Sequence, residues 1–447
     1  MPDILKLRRE FKELTDLDPE KNREGMKAAV RDLERSPMYF RDHLTSRPVQ
    51  IPFMMNDETL KLFMSIVDTS YGIFSKVINE YLTCEDYRRL FPFSKELEEL
   101  ILTPAGYDCL VPVTRFDIFY HEDTGDFWFC EVNTDGTSGM NEDRIQDETM
   151  IHNPAFQEMR RRYQFRSFEL FDSWVDRFMQ IYSTYERRVE DPNIAVIDFM
   201  DGGTVREFEE FARHFQKKGY NCEVCDIRDL TYRDGKLWSP AGHTVDAIYR
   251  RAVTGDIMDR IDEVRPFIQA VKDGAVFLAG HFRTQIIHHK AIFQVVHLKR
   301  TLDILTEEER QFVKDHIPFT AAFENDDELF EKVLKNKDDY ILKPWDSYQS
   351  MGVTAGPGTS EEDWEKAVRS AYGGGYLVQA YAPQYYSENR DFVFSTGEWE
   401  DFMNMTGLYV YGGQFAGVFA RLAPGKGIIA RGNERTQPAY LVRDRQS

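Results

Sequence analysis

Two residue pairs, Arg115-x-Asp117 and Glu131-x-Asn133, carry the side chains best suited to chemistry. Residues two apart on a strand point to the same face. The runs VPVTRFDIFY and DFWFCEVN read as strands, joined across His121–Gly125 by a hairpin-sized turn with Asp-Thr-Gly. Such a hairpin sets Asp117 roughly opposite Glu131, with Arg115 and Asn133 on the same face. Two carboxylates that close disfavour each other's ionisation unless a cation lies between them. Hard oxygen donors of this kind suit Mg²⁺, which keeps some waters and completes its shell with substrate phosphates. Arg115 is then placed to hold a phosphate or carboxylate oxygen bidentately. An exposed hairpin face laced with salt bridges is the plainer alternative. The next segment, Thr134-Asp135-Gly136-Thr137-Ser138-Gly139, argues for chemistry, because small hydroxyl-rich loops offer N–H and hydroxyl groups to an anion.

Lys343 closes the apolar strand in DDYILKPW, ahead of a stretch punctuated by Gly352, Gly356 and Gly358. A strand-end lysine there sets a point charge on nucleotide phosphates, or else is an ordinary surface lysine. Neither a P-loop nor a dinucleotide fingerprint is present. Lys290 in HHKAIFQVV reads as the start of a helix, Gln379 lies in the strand YLVQAY, and Arg421 lies in GVFARLAPGKGIIARG. His288 and His289 are adjacent, so they cannot share a helix face as metal ligands. No Ser-His-Asp or Cys-His nucleophile arrangement stands out. Cys222 and Cys225 form a lone C-x-x-C inside NCEVCDI and read as packed strand residues.

The elements that must position these residues differ along the chain. Residues 1–100 read mainly as helices, among them Glu20–Glu34 and the amphipathic Asp57–Leu82. Residues 155–190 read as helical, with Phe165, Phe168, Leu170, Phe171, Trp174 and Phe178 as an apolar stripe. Residues 193–260 alternate strand, helix and strand, which implies a small α/β lobe with parallel pairing. Residues 284–335 read as helical. Strands dominate from Asp338 onward, giving an α+β lobe rich in antiparallel sheet.

Composition bounds the function classes. The 447 residues include 33 Phe, 22 Tyr and 6 Trp, too many aromatics for a disordered chain. The net charge of −20 argues against binding to phosphate backbones or anionic lipid surfaces; it is compatible with a cationic or zwitterionic substrate, but solubility is the favoured account of it. No run of about 18 apolar residues suggests a transmembrane helix. The charged N-terminus lacks a signal-peptide core. Five scattered cysteines suit a reducing compartment, so a cytoplasmic protein is expected.

Taken together, RFD (115–117), EVNTDGTS (131–138), HHKA (288–291), ILKP (341–344), LVQAY (377–381) and GVFAR (417–421) resemble the glutathionylspermidine synthase family. More broadly they resemble the circularly permuted ATP-grasp carboxylate–amine ligases, in the family's order across roughly 105–445. The resemblance implies an α+β, ATP-grasp-like (circularly permuted) fold with an additional small α/β lobe, joined to the N-terminal helical region read above. It implies segments at 1–104 (helical), 105–190 (first part of the ATP-grasp domain), 191–275 (substrate-side lobe) and 276–447 (nucleotide-binding remainder). Asp117, Glu131 and Asn133 would be Mg²⁺ ligands, and Arg115 would contact ATP phosphate or an acyl phosphate. Lys290 and Lys343 would be the nucleotide lysines, with Gln379 at the adenine edge. Arg421 would stabilise the transferring phosphoryl group, and Ser138 would lie near the substrate carboxylate. Arg250 or Arg251 would hold a substrate carboxylate or serve as a salt-bridged structural arginine. One departure is that residues 345–352 are bulkier than the Gly- and Arg-rich loop usual after Lys-Pro. The expected function is an ATP- and Mg²⁺-dependent ligase joining a small carboxylate to an amine. The alternatives are a non-catalytic nucleotide-binding scaffold and a small-molecule kinase.

Overall fold

The computed structural model describes residues 2–40, 43–201, 205–345, 352–425, 427–429 and 432–445. It is a mixed α+β structure in which three sheets matter for the site. The largest has the order Arg47–Pro48, Arg435–Gln437, Gln414–Pro424, Trp399–Tyr411, Val113–Tyr120 and Phe127–Asn133, with Tyr386–Arg390 also pairing with Trp399–Tyr411. Apart from the parallel pairing of Arg435–Gln437 with Arg47–Pro48, it is antiparallel. One face packs on the helix Asp57–Thr83, through Phe63, Val67, Phe74 and Val77 against Phe116, Phe129 and Leu408. The Phe74 ring lies 5.6 Å from Phe116, edge to face. That helix starts where Asn56 accepts the N–H groups of Glu58 and Thr59, satisfying two of its orphan donors.

The second sheet is parallel, in the order Phe277–Ala279, Ala247–Arg250, Ile194–Asp198 and Cys222–Asp226. Its middle strands are nearly continuous apolar runs, as a sheet covered on both faces requires. The helix Val205–Lys217 buries Phe208, Phe211 and Phe215 on one face. Cys222 and Cys225 are packed in their strand, and burial pushes both thiols up.

The third sheet carries Lys343. Its order is Thr320–Ala322, Tyr376–Ala380, Tyr340–Pro344 and Thr354–Ala355, all antiparallel. Helices Asp327–Lys335 and Glu361–Ala371 cover it, closing a separate small core around Phe323, Val333, Trp364, Val368 and Val378.

The expected helices at 20–34 and 57–82 are found as Pro19–Leu33 and Asp57–Thr83. Three local expectations are corrected. The early region also supplies strands, since Phe53–Met55 pairs in parallel with the C-terminal strand Ala439–Asp444. Tyr163–Ser167 is a strand rather than helix, because it pairs with the same C-terminal strand. Phe165 thereby packs between Phe156 and Tyr440, at 4.9 and 5.6 Å between ring centroids. A third strand, Thr320–Ala322, interrupts the segment expected to be helical at 284–335. No helix among the described residues is long and apolar enough to cross a membrane.

Candidate functional site

The hairpin pairs Asp117 with Glu131 and Arg115 with Asn133, with a register shift just after Asp117. Arg115 grips Asp117 in a fork, Nε to Oδ1 at 2.6 Å and Nη2 to Oδ2 at 3.1 Å. Arg421, from the neighbouring antiparallel pair, donates through Nη2 to Asp117 Oδ2. Burial by itself would raise the Asp117 carboxyl; the two guanidinium groups outweigh it and hold it down at about 2. The arrangement needs a glycine beneath it. A Cβ at Gly407, opposite Asp117 on the next strand, would stand 2.6 Å from Arg115 Cδ and 2.8 Å from Asp117 Oδ1. Gly407 was not singled out from sequence. The available signal was a glycine inside an otherwise strand-like run, which marks a close approach.

Glu131 and Asn133 stand beside this pair, half-buried. Asn133 Nδ2 donates to Asp117 Oδ2 and to Glu131 Oε1, both at 3.1 Å. Glu434 is a further missed residue, its Oε2 4.0 Å from Arg421 Nη1. Burial raises its carboxyl, opposed by Arg421 and Arg115. The donor set is one of hard oxygens, which fits Mg²⁺ in type. Asp117 is already met by two guanidinium groups and an amide, so a cation there would take the place of one of these contacts.

Lys343 comes to this hairpin from the third sheet. Its Nζ donates to the Cys130 carbonyl at 3.2 Å and to Gln379 Oε1 at 2.7 Å. Gln379 Nε2 in turn donates to Thr320 Oγ1 at 2.9 Å. Gln379 is 4% exposed, with its carbonyl on the lysine and its amide on Thr320. This engagement sets it to orient Lys343. The thiol of Cys130 is pushed up to about 11 by burial, against the pull of Lys343.

Lys290 does not start a helix. It lies in the turn between the short helices Gln285–His288 and Ile292–Val295. The reason lies in its neighbours: His289 is buried, its ring stacked 5.9 Å from Trp345 and edge-on to Phe93 at 5.3 Å. Burial and the Lys290 charge depress His289 to about 3. His288 Nδ1 accepts the N–H of Thr134, directly after Asn133, at 3.3 Å. The lysine turn is thus attached to the hairpin's exit. Arg115, Asp117, Glu131, Asn133, Arg421, Lys343 and Gln379 form one connected cluster, with Lys290 on the adjoining turn. Trp345 and Gly352 are described; the residues of the bulky loop between them, 346–351, lie outside the described residues.

The loop 134–139 is bolted down by arginines rather than left open. Arg250 donates through Nη2 to Asp135 Oδ1 at 2.9 Å and through Nε to the Gly280 carbonyl at 2.5 Å. Asp135 also accepts from the N–H of Thr254 at 2.9 Å. Arg251 pairs with Glu207 at 2.9 Å and donates to the carbonyl of Thr137. Glu207 in turn accepts the N–H groups of Gly139 and Asn141. Of the two alternatives for Arg250 and Arg251, the structural one describes their contacts, at 3% and 2% exposure. The carbonyl of Ser138 accepts from Arg115 Nη1 at 2.6 Å and from the Tyr409 hydroxyl at 2.8 Å. Ser138 therefore adjoins the Arg115–Asp117 pair through its backbone.

A cavity of about 420 Å³ between the first two helices and Pro154–Arg162 is lined by none of these residues. Glu169, Asp172 and His214 group ligand atoms within 4.8 Å. Glu169 there accepts the N–H groups of Phe171, Asp172 and Ser173, and so serves as a helix cap.

No family model matches the sequence, and no curated protein matches it. Among solved structures, a glutathione synthetase-like effector from Globodera pallida in its apo form is similar, with a TM-score of 0.61 at 12% identity, over 95% of this chain and 98% of that one. A "Putative gamma-glutamylcysteine synthetase" from Methylobacillus flagellatus KT aligns over 87% of this chain and 89% of that one, at 9% identity and a TM-score of 0.36. The second is too distant to bear on any argument. The first is a likeness of fold, along nearly the full length of both chains.

Proposed function

We propose that the protein is an ATP- and Mg²⁺-dependent ligase that joins the carboxylate of an amino acid or small peptide to an amine through an acyl phosphate. One observation carries the reading: the hydrogen bond from Lys343 Nζ to the carbonyl of Cys130, at 3.2 Å and 213 residues apart. It sets an ammonium against the peptide next to Glu131, where a triphosphate needs both cationic side chains and hard oxygen donors. The fold is then a circularly permuted ATP-grasp, with the E-x-N hairpin preceding both lysines. Its segments are the region 1–104, helical apart from short strands, the hairpin region 105–190, a substrate-side lobe 191–275 and a nucleotide-binding remainder 276–447. The fold likeness to a glutathione synthetase-like effector supports the architecture. The place of action is proposed to be the cytoplasm, and the partners small molecules.

Glu131, Asn133 and Asp117 would hold Mg²⁺, which when bound neutralises charge on the nucleotide phosphates. Lys290 and Lys343 take phosphate oxygens, Lys343 with its ammonium aimed by Gln379. Gln379 would border the nucleotide at the adenine edge. The substrate carboxylate, beside Ser138, attacks the γ-phosphorus. The bond from that phosphorus to its bridging oxygen breaks and ADP leaves. Arg421 and Arg115 spread positive charge over the transferring group, and positioning with charge neutralisation is most of what phosphoryl transfer requires. A neutral amine then attacks the acyl carbon, the C–O bond breaks, phosphate departs and the nitrogen gives up its proton. An arginine or a nest of backbone N–H groups would hold the oxyanion of that step.

A panel of amino acids, small peptides and polyamines, scored for ADP and phosphate release, tests the reading. Release that needs both an acid and an amine is expected. Release with one acceptor alone would make the protein a kinase. A nucleotide-binding scaffold is the second reading, favoured by the way Asp117 meets two guanidinium groups with none of its side chain exposed. That reading expects a higher Tm with ATP and Mg²⁺, since ligand binding adds RT ln(1 + [L]/Kd) to stability, and no turnover.

A further inference from the structure

We propose that His288 is a positioning residue for Lys290, fixing the lysine turn against the strand that carries Glu131 and Asn133. The inference rests on the ligase reading, in which Lys290 meets a nucleotide phosphate. Thr134 follows Asn133 directly and is tied twice to the segment before the lysine. Its N–H donates to His288 Nδ1 at 3.3 Å, and its hydroxyl donates to the Thr284 carbonyl at 3.1 Å. Because Nδ1 accepts, the neutral ring keeps its proton on Nε2. His289 makes different contacts, since its Nδ1 accepts the Ala291 N–H at 3.2 Å and its ring packs on Trp345. The adjacent histidines thus act separately, one packing the turn and the other tethering it. Lys290 stands two residues beyond His288, after a helix of four residues. So short a helix does not hold its place by its own hydrogen bonds. The tether to Thr134 supplies the register, so one lysine-bearing segment grips the strand at Cys130 and the other grips the residue that directly follows it, Thr134.

The test is calorimetric binding of MgATP to the full chain. His288→Leu removes the acceptor and is expected to weaken binding about tenfold, the size usual for a residue that orients a ligand-binding group. His288→Asn sets an oxygen at the δ position and is expected to stay within about twofold of the parent. In a Lys290→Met background, His288→Leu is expected to cost nothing further, because the residue acts through the lysine. Should His288→Leu fail to fold, His288→Gln, which reaches past the δ position, replaces it with the same expected and opposing outcomes. The proposal is overturned if His288→Leu binds like the parent, if His288→Asn loses as much as His288→Leu, or if the loss persists without Lys290. A parent chain that binds no ATP overturns the ligase reading and this inference together. A parent that binds, with an unaffected His288→Leu, overturns this inference alone.

Discussion

The loop anchored on the parallel sheet and the hairpin of the large sheet both bury a carboxylate against arginine, and they differ in what stands beside it. Asp135 and Arg250 have fully buried side chains, and their other hydrogen bonds go to the carbonyls of Gly280 and Ala252, the N–H of Thr254 and the hydroxyls of Thr254 and Thr284. Asp117 is as deeply buried, yet it is shared between Arg115 and Arg421 and adjoins the half-buried Glu131 and Asn133. The same pairing closes a structure in one place and, in the proposed ligase, borders the reaction centre in the other. The contrast is broken most directly by removing Asp135 on one side and neutralising Glu131, beside Asp117, on the other. Asp135→Ala strands a buried guanidinium, which is expected to cost roughly 3–5 kcal/mol in urea denaturation. A cost below about 1 kcal/mol, the level of exposed pairs, would mean that the loop is held by other means.

Glu131→Gln should do the reverse. Shape is kept and one anionic oxygen is lost from a half-buried position. Turnover is expected to fall by about 100-fold or more, which at 1.4 kcal/mol per tenfold is nearly 3 kcal/mol. Stability is expected to hold within about 0.5 kcal/mol. Parallel rate and denaturation measurements decide it; unaltered turnover would remove Glu131 from the metal set.

Gln379 sharpens the comparison further, because it adjoins the hairpin through Lys343 yet is engaged like a structural residue. Gln379→Leu leaves Lys343 without its side-chain acceptor, and ATP binding is expected to weaken about tenfold. If Gln379 aims the lysine, binding of ATP and GTP should suffer alike. If it reads the adenine edge, ATP should lose more than GTP. Titrating both nucleotides into the variant separates the two roles.

How much of this was legible in the sequence follows the same division. The hairpin register could be read because alternation and a two-residue spacing place Arg115, Asp117, Glu131 and Asn133 on one face. The helix Asp57–Thr83 could be read because its apolar residues recur at helical spacing over many turns. Tyr163–Ser167 could not, since it is a strand only through its pairing with residues 440–444, far off in the chain. Gly407 shows in the sequence only as a glycine inside a strand-like run, and Glu434 not at all, for a related reason: one matters for what lies above it, the other for an arginine across the sheet. The bolting of 134–139 by Arg250 and Arg251 was open to two readings, and only the carbonyls and carboxylates they reach choose between them.

The smallest expected effect concerns Glu142, at the start of the helix that follows the bolted loop. Burial, with Glu207 adding its charge, raises the Glu142 carboxyl to about 7. Its folded form therefore holds a proton more tightly than the unfolded chain does. The stability this contributes is present below the usual value of 4.5 and is lost as pH rises through 7. Asp117 runs the other way. Held at about 2, its contribution is present above the usual 3.8 and is lost only as pH falls through 2, so it does not change near neutrality. Asp117 therefore adds nothing to a decline in Tm between about pH 5 and about pH 8, whereas Asp198, which burial raises to about 6, declines beside Glu142, so only a variant of Glu142 isolates its share. Glu142→Gln removes that charge, so the Tm gap between variant and parent should shift in the variant's favour across the same range. A gap that stays constant from acid to alkaline pH would mean that Glu142 is ionised and partnered, and that the acidic edge of the loop is closed in the same way as the Asp135 side.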